Sequence, residues 1–216
     1  MSLIDTWAAT GTGAFSLTEN VLYTLEAWQV VLNRLADDGI FTVSRWHSLD
    51  GLGETGRAVS LAMAALIQSG AADPAAQLAM VTTENISTLL ICKRPFSADE
   101  RAQLRKVCAD LAFRPSILPD APVADEALAR MLSARSLDGL RRAVAGEPLN
   151  YEPPTDENPY FFNMLRLPHL GYAFQRKLQL VFGNWVATLT LLGLIFSLAC
   201  LSYTSPSPRD RQKSRM

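Results

Sequence analysis

Histidine is nearly absent. The chain has only His47 and His169, and neither has a partner at the spacing that holds a metal ion. Cysteine is as scarce: Cys92, Cys108 and Cys200 show no paired spacing, so they read as reduced packing residues, with no disulfide or zinc framework. An excess of one charge is lacking too. Twenty Lys and Arg stand against 21 Asp and Glu, a net charge of −1 that offers no basic surface for nucleic acid. No basic stretch followed by an apolar run and a small-residue cleavage site opens the chain, so no signal peptide is expected. Apolar residues are plentiful, at 49% of 216 residues, enough for the core of one domain plus an appendage.

Residues 2–46 organise the rest. Leu3 and Ile4 read as the apolar end of a buried strand, and Asp5 stands where it stops. Thr18 is placed to cap a helix, with Glu19 in its positive first turn. Val21, Leu22, Leu25, Trp28, Val31, Leu32 and Leu35 recur at spacings of three and four, which predicts one apolar helix face. Gly39 then supplies a left-handed C-terminal cap. Residues 40–46 are rich in β-branched and aromatic side chains and read as a second strand. Strand, helix and strand in this order predict a right-handed crossover in a parallel sheet. Ligands of such sheets sit at the carboxyl ends of the strands, the edge that Asp5 and the loop 47–54 occupy.

Further on, residues 57–68 predict a helix with Val59, Met63, Leu66 and Ile67 on its apolar side. Residues 78–83 and 87–93 predict two adjacent antiparallel strands. Ser97 and Glu100 form a capping box for a helix whose Leu104, Val107, Cys108 and Leu111 face inward. Residues 113–118 suit a short edge strand broken by Pro115 and Pro119, and 125–133 and 137–145 suit two short helices. Arg141 and Arg142 in the last turn complement the helix dipole, a reading that accounts for them ahead of an anion site. The prolines of residues 151–159 exclude helix and sheet. The aromatics that follow, Tyr160, Phe161 and Phe162, suit either a membrane interface or the end of the domain core. No charged residue occurs from Leu178 to Tyr203, a run long enough to cross about 30 Å of hydrocarbon. Tyr172 and Trp185 are its expected interface anchors, and Arg176 and Lys177 place its N-terminal side in the cytoplasm.

The segments D-T-W-A-A-T-G-T-G-A-F-S-L at residues 5–17, L-Y-T-L-E-A-W at 22–28 and T-D-E-N-P-Y-F-F-N at 155–163 carry a family resemblance. The chain resembles bacterial membrane-bound proteins with a spermidine-synthase-like domain, over about residues 2–199. The resemblance implies an α/β fold: the C-terminal half of a Rossmann-like, methyltransferase-type domain in 1–119, a helical and linker segment with the aromatic stretch in 120–175, and a transmembrane helix in 176–203. It implies aminopropyl or methyl transfer in polyamine-type metabolism, with S-adenosylmethionine or its decarboxylated form as co-substrate of the full-length protein. It also implies a multi-pass protein of the bacterial inner membrane with its Rossmann-like domain in the cytoplasm. Partners are then membrane lipid and a small amine.

Such domains open with a strand, a glycine-rich turn and a helix that hold the nucleotide. Here Gly11-Thr12-Gly13 lacks the third glycine, so Met1 is expected to be an internal methionine of a longer protein, and this portion is expected to be inactive by itself. From about Cys200 the chain resembles a translated sequencing adaptor, and residues 204–216 are expected to form a disordered tail.

The chemistry needs a carboxylate that attracts the amine and takes its proton. In the resembled family an Asp-x-x-Asp pair does both. Asp5 matches the first aspartate and is the catalytic candidate, but Ala8 stands at the second position and can do neither. Glu54, on the neighbouring strand-end loop, is the candidate replacement, and Trp7 and Tyr23 are candidates to stack on the substrate. No cofactor-binding or metal-binding residue is assigned. The alternative is a non-catalytic Rossmann-like module that senses a ligand and couples it to a membrane domain.

Overall fold

The computed structural model describes residues 19–47, 51–169, 171 and 179–204. The strand end at Leu3 and Ile4, the cap at Thr18 and the tail therefore lie outside the described residues, as do Tyr172, Arg176 and Lys177. The chain is α/β. The helices are α1 (Leu25–Arg34), α2 (Gly53–Gln68), α3 (Ala98–Asp110), α4 (Glu126–Leu132), α5 (Leu137–Ala145) and α6 (Gln179–Thr204), and the strands are β1 (Ile40–Trp46), β2 (Leu78–Thr83), β3 (Ile86–Cys92) and β4 (Arg114–Ile117).

The sheet order is β1-β3-β2-β4, with antiparallel neighbours throughout, so the described sheet has none of the expected parallel pairing, and the first strand of the expected crossover lies outside the described residues. The expected antiparallel pair is present as the β2–β3 hairpin, in which Leu78 faces Ile91 and Thr83 faces Ile86. Because β1 and β2 both oppose β3, they run parallel to each other, and α2 is the helix that joins them. Strand β4 is the expected edge strand, and Pro115 is tolerated there because an edge position loses no ladder bond on its outer side.

Strand alternation divides the packing. Leu89 and Ile91 join Leu78 and Met80 in the main core, under α1, α2, α4 and α5. Leu90 and Cys92 face the other side, where Phe96 and Leu104 of α3 complete a smaller cluster. Helix α3 keeps its capping box, with Ser97 and Glu100 satisfying each other's backbone N–H groups. Its inward face is narrower than expected. Cys108 is buried, but Val107 and Leu111 are exposed, because the smaller cluster reaches only one stripe of the helix. Cys92 and Cys108 are buried thiols outside any disulfide, and burial raises the Cys92 thiol to about 11.

Several expectations are corrected. The first helix does not run from Thr18. A short 3-10 turn at Val21–Tyr23 ends in extended Thr24, whose hydroxyl caps α1 by accepting from the Ala27 N–H. Val21 and Leu22 are consequently exposed, while Tyr23 turns fully inward. Gly39 does not take a left-handed conformation, since Gly53 and Gly70 are the described glycines with positive φ. Gly39 is needed for space instead: a Cβ there would lie 2.6 Å from Leu35 Cγ. Helix α2 starts a turn early, at Gly53, and is buried on every face, not on one side. It lies between the sheet and the pair α4 and α5, so it has no solvent side to leave polar.

The aromatic stretch belongs to the domain core. Phe161, Phe162 and Met164 are buried with Tyr23 and Leu61, so residues 120–165 share one core with the sheet and do not form a separate interface segment. Helix α6 is apolar on all sides, with Leu194, Phe196 and Leu198 exposed. Its described side chains run only from Thr190 to Tyr203, and among the described residues no helix is long and apolar enough to cross a membrane. The expected transmembrane helix over 176–203 is thus not established.

Two measurements check these elements. Thr24→Ala is expected to lower stability by about 1 kcal/mol in urea unfolding, the usual cost of a lost N-cap; an unchanged midpoint would remove Thr24 as the cap. Glu100 is held down to about 2 from an ordinary 4.5, chiefly by the Arg94 guanidinium and then by the Ser97 N–H. Its folded value lies below its unfolded one, so its stabilisation is complete above about pH 4.5 and is lost as pH falls toward 2. Arg94→Ala should flatten the unfolding midpoint against pH in that window.

Candidate functional site

The inward face of β1 carries Phe41, Val43 and Arg45, alternate residues of one strand. An arginine at a core position must find charge and hydrogen bonds, because burying an unpaired cation costs several kcal/mol. Arg45 is 1% exposed, and one Nη lies 3.6 Å from Glu54 Oε2. Its guanidinium also lies 4.1 Å from the centre of the Tyr23 ring and 5.5 Å and 5.3 Å from those of Phe161 and Phe162. Tyr23 and Phe161 rings sit 4.7 Å apart, and Phe162 meets Phe161 edge-on at 5.1 Å. Three aromatic faces thus line a cation whose carboxylate partner comes from the first turn of α2, where the helix dipole also favours negative charge.

Tyr23 and Glu54, two of the four residues expected to meet a substrate, are therefore brought together, although 31 positions separate them in the chain. They meet at Arg45, in the core just below the carboxyl end of β1. Asp5 and Trp7 lie outside the described residues. Glu54 is 6% exposed and faces a guanidinium, and Tyr23 is fully buried beneath the same group. A carboxylate paired in this way does not offer its charge to an incoming ammonium.

Around this cluster the strand end is fixed by short local bonds. The Thr55 hydroxyl donates to the Trp46 carbonyl at 3.1 Å, and the His47 N–H donates to Asn85 at 2.7 Å. Burial lowers the His47 pKa, Arg114 lowers it further, and Asp125 opposes both. His47 is thereby biased to the neutral form.

A second buried cation was not anticipated. Arg57, one turn along α2 from Glu54, is 2% exposed. Its Nε donates to the Glu152 carbonyl at 3.1 Å, and one Nη donates to the carbonyls of Tyr160, Phe161 and Asn163 at 2.9, 2.8 and 2.7 Å. Burial holds its pKa down at about 10. These bonds tie the proline-containing segment 150–163 to α2. The same segment accepts from the first residues of the structure, Asn20 N–H to Pro159 and Leu25 N–H to Pro154, and its Asp156 N–H donates to Glu26. Gly56 permits the close approach, because a Cβ there would lie 2.9 Å from Tyr151 Cε1.

Signals for both arginines are present in the sequence. Alternation along β1 places Arg45 in phase with Phe41 and Val43, and Glu54 and Arg57 are the only charged residues between positions 51 and 72. A lone pair of opposite charges in an apolar, small-residue helix marks buried charge rather than a solvated face.

If Glu54 serves Arg45, Arg45→Met should destabilise the protein by about 3–5 kcal/mol, leaving a buried carboxylate uncompensated. Adding Glu54→Gln should recover at least half of that loss in chemical unfolding. A double variant as unstable as the sum of the single ones would show that the two side chains are not energetically coupled. No family model matches the chain, and no match is found among curated proteins or solved structures.

Proposed function

We propose that the chain is the acceptor-side part of a membrane-anchored, spermidine-synthase-like transferase. The full-length protein would move an aminopropyl or methyl group from decarboxylated S-adenosylmethionine or S-adenosylmethionine to a small amine. The supporting observation is the sheet: parallel β1 and β2 joined by α2, with β3 returning antiparallel between them. A Rossmann-like sheet of the methyltransferase type is expected to close with such an antiparallel pair. It leaves β1 as an edge strand among the described residues, with its carboxyl end beside the Tyr23, Arg45 and Glu54 cluster. In this reading Asp5 orients the amine and takes its proton, and the cluster holds the carboxyl end of β1 in place. Lipid would cover α6, since a helix apolar on all sides needs an apolar surround. The domain would then sit at the cytoplasmic face of a bacterial inner membrane.

The pairing of Glu54 with Arg45 favours a second reading. With Ala8 in place of a second aspartate and Glu54 already engaged, the module would bind a nucleotide-type ligand without turning it over, and would signal to its membrane segment.

The deciding experiment uses the full-length protein in detergent with each donor and a panel of diamines, and compares it with Asp5→Asn. Turnover that falls at least 100-fold in Asp5→Asn supports the transferase, in line with the loss of a general base. Saturable donor binding by calorimetry without turnover supports the sensing module. Neither binding nor turnover with either donor would overturn both.

A further inference from the structure

A cleft of about 210 Å³ opens between α2, the first turns of α5 and the segment 150–158. Arg57, Arg141, Asn150, Thr155 and Asn158 contribute its polar lining. Arg57 is the notable member. Its Nε and one Nη are consumed by four carbonyls, whereas its other Nη makes no hydrogen bond among the described residues. No carboxylate lies within ion-pair distance of it among the described residues. A cation 2% exposed, compensated by carbonyl dipoles and by the more distant charge of Glu152, borders a cleft with room for a counter-ion.

The other charges lean the same way. Arg141 stands on the rim, and its contact with Asp138 at 3.3 Å joins two side chains that are 70% and 76% exposed, so solvent screens it and leaves the guanidinium able to turn. Glu152 is the one acidic residue in the lining, and its carboxylate lies 3.6 Å from Arg166, which draws it toward a third arginine. The Asn150 carbonyl oxygen accepts from the Glu152 N–H, which leaves its amide donors for the cleft. Two guanidinium groups thus stand against one carboxylate in the lining.

We propose that this cleft is a binding site for a small oxyanion, a carboxylate or a phosphate group. The free Nη of Arg57 meets it from below, and Arg141 closes over it from the rim. An arginine that fixes its own backbone through two nitrogens and presents the third is already ordered, so less side-chain entropy is lost when the anion binds. The site is separate from the Tyr23, Arg45 and Glu54 cluster and does not depend on the proposed transfer reaction. Occupancy would also reinforce the segment 150–163, because the anion would complete the charge balance of the residue that holds that segment in place.

The test is titration of the full chain in detergent micelles with succinate and, separately, with inorganic phosphate, followed by calorimetry and by the Arg57 Nε resonance. One-to-one binding with Kd of about 1 mM or tighter is expected for at least one probe, with the Arg57 resonance shifting on saturation. The probe that binds identifies the ligand chemistry. Arg141→Ala, at an exposed position that leaves folding intact, should weaken binding at least tenfold, and Glu152→Gln should tighten it. Absence of saturable binding by both probes would overturn the proposal, as would an unchanged affinity in Arg141→Ala or a bound probe that leaves the Arg57 resonance unmoved.

Discussion

The guanidinium of Arg57 is the point on which the rest of the domain closes. Four backbone carbonyls of a segment too rich in proline to form helix or sheet converge on two of its nitrogens. The bond to Phe161 is buried and the other three are partly buried, and a buried carbonyl costs about 1–3 kcal/mol without a donor. The cost of burying the cation is several kcal/mol, and hydrogen bonds from a charged donor contribute about 1.5–3 kcal/mol each. The two sides are of similar size, so the arrangement stands as a set and not as separate bonds. Once the segment is fixed, Phe161, Phe162 and Met164 are delivered to the core, and its carbonyls receive the N–H groups that set the start of α1.

Arg45 solves a related problem in a different way. It has a carboxylate partner and aromatic faces, while Arg57 has dipoles. Glu54 and Arg57 leave α2 one turn apart, and the guanidinium groups of Arg45 and Arg57 lie 5.5 and 6.0 Å from the centre of the Phe161 ring. The domain is therefore built around two buried cations and one aromatic cluster. Such a core specifies its geometry narrowly, since a half-satisfied charged network is worse than an apolar one.

Local patterns foretold much of the architecture. The β2–β3 hairpin, the edge strand with Pro115, the Ser97 capping box and the short helices α4 and α5 all follow from residues close in sequence, where alternation, caps and breakers act within a few positions. The break at Thr24 was not legible. The apolar spacing from Val21 to Leu35 runs straight through it, and only a carbonyl acceptor 130 positions away makes an extended Thr24 preferable to another helical turn. The same reason hid the breadth of α2's burial. Its small residues permit close packing on every side, yet which elements arrive there depends on the whole chain.

For the candidate site, sequence alone determined that Tyr23 and Glu54 deserved notice and that Ala8, not a carboxylate, stands three residues after Asp5. It left the aromatic stretch between membrane and core. Tertiary structure decided that choice by burying Phe161 and Phe162, and it assigned Glu54 to Arg45 rather than leaving its charge for a ligand. It also exposed the cleft at Arg57. The physical reason is the range of the interactions. Helix, strand and cap are settled by neighbours along the chain, while the fate of a buried charge is settled by whichever distant group folds against it.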